Sequence, residues 1–158
     1  MKLPAFLLIA GLAPFALAAG APETPPAAPE PRSEPGPPTA LRLFADVEDA
    51  WVASDAERLA SLVDTTAVRI AVKPGAPLTS ALTRVAAAFL LQDQLRLVKT
   101  RGFQVTRFQI DPKRRLCRGT ATWTGDWGGR QGKRAVRVAL VARPSNNRWF
   151  LTEIRAED

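Results

Sequence analysis

Apolar and polar positions alternate with a period of two near the C-terminus. Val136, Val138 and Leu140 fall on one side of the chain, and Arg137, Ala139 and Val141 on the other. That period predicts a strand with one apolar face and one mixed face. The flanking runs Leu116–Trp127 and Arg148–Arg155 extend the pattern, so three long paired strands are expected. Gly128-Gly129-Arg130-Gln131-Gly132 supplies the first reversal, because glycine takes positive φ without a Cβ penalty. Pro144-Ser145-Asn146-Asn147 supplies the second.

Upstream the period changes to that of a helix. Leu41, Phe44, Val47 and Trp51 recur at spacings of three and four, which predicts a helix over 41–53 with Thr39 as its cap. Ser54 and Glu57 form a capping box for a short helix over 55–63, with Leu59, Leu62 and Val63 facing inward. A strand over 65–72 follows, carrying Val68, Ile70 and Val72 on one face. Leu78, Leu82, Val85 and Phe89 then predict a helix over 79–92, lying across the sheet with Leu82, Val85 and Phe89 buried. Two strands, 95–100 and 103–110, are expected around Arg101-Gly102, with a bulge at Phe108. A basic turn, Asp111 to Arg115, leads into the first of the three long strands.

The first 39 residues have a different character. Lys2, an apolar run from Leu3 to Ala10 and the small-residue pattern Ala16-Leu17-Ala18 read as a secretory signal peptide over 1–19. Its removal leaves no transmembrane span, so an exported protein, periplasmic or secreted, is expected. No cysteine follows the apolar run to carry a lipoprotein anchor. Residues 20–39 are rich in proline and alanine and read as a disordered linker, a spacer or a proline-rich docking motif. That leaves 40–158 as one domain, long enough to bury about two-thirds of its unfolded surface.

Charge divides this domain. Residues 40–95 carry five basic and seven acidic side chains, and residues 96–158 carry 15 basic and five acidic ones. The positive field therefore belongs to the sheet half. Lys113, Arg114, Arg115, Arg118 and Arg137 are candidates for holding an anion. Solubility and protection of strand edges are the plainer roles for the same residues. An exported protein meets nucleic acid rarely, so an anionic envelope component or an acidic protein is the expected partner.

Catalytic candidates are few. The chain has no histidine and no tyrosine, which removes the side chain titrating near neutral pH and the phenolic donor. No metal site and no cofactor are expected. Cys117, the only cysteine, reads as a buried small hydrophobe or as the link of a disulfide-bonded dimer. Asp126 and Asp93 are the remaining carboxylates of interest, as bases in an apolar pocket or as ordinary surface groups. Trp123, Trp127 and Trp149 either line a pocket or fill an interface.

The element order, and the run from Trp51 to Val63, resemble nuclear transport factor two-like domains, the group that includes SnoaL-like and ketosteroid-isomerase-like enzymes. Gly119-Thr-Ala-Thr-Trp123 and the terminal strand Arg148 to Ile154 are similar to small exported bacterial proteins of that group that carry a domain of unknown function. The resemblance spans 40–158. It implies an α+β cone: three N-terminal helices against a strongly curved, mostly antiparallel sheet of five to six strands. It also implies a pocket at the open end of the cone and a homodimer formed through the outer sheet face. The expected function is a non-catalytic binding or scaffolding module; a small isomerase or cyclase using Asp126 or Asp93 is the alternative.

Overall fold

A computed structural model describes residues 37–128 and 132–157. The signal segment 1–19, linker residues 20–36 and three residues of the glycine-rich reversal, 129–131, lie outside the described residues. The elements run α1 (Pro37–Val52), α2 (Ala56–Ser61), β1 (Arg69–Ala71), α3 (Arg84–Arg96), β2 (Lys99–Asp111), β3 (Leu116–Asp126), β4 (Lys133–Ser145) and β5 (Arg148–Glu157). The strands form one five-stranded sheet in the order β1-β5-β4-β3-β2. β1 is parallel to β5, and the other pairs are antiparallel. The class is α+β, as the resemblance implied.

β4 follows the expected alternation, with Val136, Val138 and Leu140 buried and Arg137 exposed. The turn to β5 places Asn146 and Asn147 at φ of 47° and 61°, the two successive left-handed residues that a tight hairpin needs. α1 starts earlier than its pattern suggested. Pro37 opens it, where a missing N–H costs nothing, so Thr39 lies inside the helix rather than capping it. Phe44, Val47 and Trp51 are buried, joined by Ala40, Leu43 and Ala50, while Leu41 faces out.

β3 shapes its inner face to receive α1. Gly119 lies so close to the Phe44 ring that a Cβ there would meet it at 2.8 Å. The glycine therefore lets the helix settle onto the strand. Glu48 of α1 accepts a hydrogen bond from the Val105 N–H at an irregularity in β2.

Four local expectations need correction. Asp55, not Ser54, caps α2: its carboxylate accepts the Arg58 N–H at 2.9 Å, while Ser54 turns left-handed at φ 55° to end the preceding helix. α3 begins at its cap Thr83, later than expected. Residues before it run beside β1 instead: Val68 and Leu82 exchange two backbone hydrogen bonds, at 2.8 and 3.1 Å. The face of α3 is also different. Ala87, Leu91 and Leu95 are buried, Val85 and Phe89 are 66% and 68% exposed, and Leu82 is half-buried. Two apolar stripes coexist on this helix, and its extension to Arg96 lets Leu95 complete the second. Finally, Arg101-Gly102 is not a turn between two strands. β2 is continuous, with register shifts at Thr100/Gly102 and Val105/Arg107, so the bulge precedes Phe108.

Cys117 is fully buried, and burial pushes its thiol up to about 11. A disulfide to a second chain has no access to that sulfur.

Candidate functional site

The inner face of β3 reads Gly119, Ala121, Trp123 and Gly125, three small residues and one large. Trp123 fills the interior that the small residues leave. Its ring meets Trp51 edge-on at 5.2 Å, and Trp51 stacks on Phe103 at 4.4 Å. On the other side Trp123 meets Trp127, with centroids 4.6 Å apart. Four aromatic rings thus run from the core to the end of β3. Such tilted and edge-on pairs each add about 0.5–1.5 kcal/mol beyond the area they bury.

A cavity of about 500 Å³ opens at the outer end of this line. Trp123 and Trp127 form one wall, Val72 and Lys73 after β1 another, and Gln94, Leu97 and Val98 at the end of α3 the third. Gly125 lets Val98 pack against β3, since a Cβ there would strike the Val98 side chain at 2.6 Å. Leu97 is 66% exposed, so the lining is unusually apolar for a surface. The Trp123 indole N–H donates to the Thr100 hydroxyl at 3.1 Å. The Trp127 indole N–H and the Arg134 Nε are buried without an acceptor among the described residues. The Arg134 guanidinium lies over the Trp127 ring, 4.8 Å from its centroid.

Trp149 does not join the other two. It lies beyond the opposite end of the interior, lining a cleft of about 320 Å³ with Arg42 and Asp46 of α1 and the Asn147 turn. Strand order and register separate it from Trp123, and spacing along the chain carries no sign of that. Asp126 and Asp93 line neither site. The Asp126 carboxylate accepts the Gly128 N–H at 3.2 Å and holds the turn, and Asp93 is exposed on α3. No polar or charged residue among those described is buried, and no group of His, Cys, Asp or Glu among them could hold a metal ion. No described helix is long and apolar enough to cross a membrane.

The basic candidates fall in two places. Lys113, Arg114 and Arg115 are exposed in the β2–β3 turn, where Arg114 sits 3.7 Å from Asp111. Arg118 and Arg137 both face out from the sheet, on neighbouring strands. Lys73 and Gln94 had no signature in the sequence; Val72 was expected as strand core and Leu97 and Val98 as part of a strand over 95–100, whereas α3 runs on to Arg96 and leaves Leu97 exposed after it.

No family model matches the chain, and no curated protein matches it. Solved structures do. A DUF4783 family protein from Bacteroides ovatus has a TM-score of 0.60 at 17% identity, covering 72% of this chain and 93% of that one. A proposed dehydratase of the NTF2-like family from Streptomyces avermitilis has a TM-score of 0.57 at 19% identity, covering 76% and 93%. A protein with a ketosteroid isomerase-like fold from Catenulispora acidiphila, in complex with trimethylamine, has a TM-score of 0.56 at 12% identity, covering 72% and 82%. The chain has the nuclear transport factor two-like fold shared by these proteins, one of whose families is defined only by a domain of unknown function.

Proposed function

We propose that this protein is an exported binding module whose cavity takes a compact aromatic or apolar molecule bearing an anionic or hydrogen-bond-accepting group. The observation that carries this reading is the Trp123–Trp127 wall, with an indole N–H at Trp127 that has no acceptor among the described residues. An apolar pocket with a few convergent polar groups is the usual form of a small-molecule site. Lys73 on the rim and Arg134 over Trp127 give it a positive bias. A neutral or anionic ligand suits such a rim better than an amine of the kind bound by the Catenulispora protein.

An acid–base enzyme has less support. Its base would be a carboxylate beside the bound molecule, and neither Asp126 nor Asp93 lines the cavity. Export rests on the pattern of residues 1–19 alone.

Titration of the full chain with naphthalene sulfonate and with naphthylmethylamine tests the reading, using tryptophan fluorescence. The sulfonate should bind saturably and more tightly than the amine. Trp127→Ala should weaken it about tenfold, the worth of one aromatic contact with its donor. Trp149→Ala should leave it unchanged. Equal binding of the two probes, or a Trp127→Ala variant that binds like wild type, defeats the proposal.

A further inference from the structure

The strand register assembles a second feature that no single stretch of sequence displays. On the solvent face, Arg107 of β2 pairs across with Thr120 of β3, Thr120 with Ala139 of β4, and Ala139 with Arg155 of β5. Arg118 lies two residues from Thr120 along β3, and Arg137 two residues from Ala139 along β4, towards the opposite end of the sheet. Strands spaced about 4.8 Å apart, with about 6.7 Å between same-face neighbours, put these four arginines at the corners of a parallelogram with sides of about 8 and 12 Å. Its centre holds only the small side chains of Thr120 and Ala139. All four arginines are exposed.

Their charge is poorly offset. Glu153 is shared between Arg69, at 2.6 Å, and Arg155, at 3.6 Å. Arg107, Arg118 and Arg137 enter no ion pair with the described residues. Glu153 and Glu157 share this face with them, Glu157 directly across from Arg137, and Asp111 and Asp126 join it towards the strand ends.

We propose that this outer sheet face is a docking surface for an acidic polysaccharide, gripped by Arg107, Arg118, Arg137 and Arg155. Guanidinium forks match carboxylate and sulfate oxygens in pairs, and a rigid sheet holds them at fixed spacing. Thr120 lies between them, and Thr122, Thr124, Gln104 and Gln109 lie beside them on the same face, hydroxyls and amides suited to sugar hydroxyl groups. The chemistry that other polyanions need is missing from this face. The exposed large apolar residues, Leu41, Val52, Val85, Phe89 and Leu97, all lie on the helices or just after α3. A bilayer surface is gripped by apolar side chains inserted beside the basic ones. Single-stranded nucleic acid is held by exposed aromatic rings. Charge complementarity and hydroxyl-rich surroundings therefore favour the polysaccharide.

The test measures binding of the full chain to polygalacturonate, with neutral dextran, phosphatidylglycerol vesicles and oligothymidylate as rival probes. Arg107→Gln, Arg118→Gln and Arg137→Gln together should weaken polygalacturonate binding more than about tenfold, as loss of charge-assisted pairs implies. Arg42→Gln, Arg58→Gln and Arg96→Gln remove the same charge from the helices and should weaken it less than about threefold. Circular dichroism should show both variants folded; if the sheet variant is not, the single Arg118→Gln chain carries the comparison, with a smaller loss. Equal losses in the two triple variants reduce the effect to net charge and overturn the proposal. So does binding to vesicles or oligothymidylate that matches the polysaccharide. A homodimer mass by light scattering that persists on adding polygalacturonate also overturns it, by assigning the face to a second copy.

Discussion

α1 and α3 both press one side into the interior, yet they do so on different terms. α1 buries a continuous stripe from Ala40 through Phe44 and Val47 to Trp51, and its acidic residues Asp46, Glu48 and Asp49 stand off that stripe. α3 buries only Ala87, Leu91 and Leu95 and leaves Val85 and Phe89 in solvent. A helix with one apolar face has a single way to dock. A helix with two takes its orientation from its neighbours, here from where Thr83 caps it and where Leu95 ends up. The difference teaches that α1 is fixed by its own sequence and α3 by context.

Substitutions can break that contrast. Trp51→Ala should cost the most, about 3–5 kcal/mol, because it removes the ring between Phe103 and Trp123. Chemical denaturation would read the loss; a cost under about 1 kcal/mol would mean that α1 is not the anchor. Leu91→Ala should cost about 2–5 kcal/mol by the same measurement, since Leu91 is fully buried. Phe89→Ser should change stability by less than about 0.5 kcal/mol, despite removing a larger side chain. If Phe89→Ser proves the costlier of the two, α3 docks by its other face.

Sequence periodicity reached as far as each pattern was unambiguous. β4 alternates cleanly, so Val136, Val138 and Leu140 were legible as core. α1 was legible because nothing polar interrupts its stripe. The cap of α2 was misplaced by one residue, because Ser54 and Asp55 are both good capping residues and only the backbone chooses between them. β2 was divided in two because Gly102 serves a bulge as readily as a turn. The candidate site was half legible. Trp123 and Trp127 share a strand end and were found together. Trp149 was grouped with them by residue type alone, and the fold sends it elsewhere. Arg118 and Arg137 were legible as anion-binding candidates, but Arg107 and Arg155 join them only through a register that no local pattern encodes.

The single thiol has a consequence for the chemical lifetime of the molecule. Thiolate is the species that oxidants and alkylating agents attack, and at a thiol pushed up to about 11 almost none is present near neutral pH. Cys117 is also fully buried in the core, so reagents must wait for the strands to part. Its oxidation is therefore governed by the opening of β3 rather than by the redox poise of the surroundings. The folded chain can pass through an oxidising compartment with its sulfur intact, and a modified Cys117 would be the record of a molecule that had come apart.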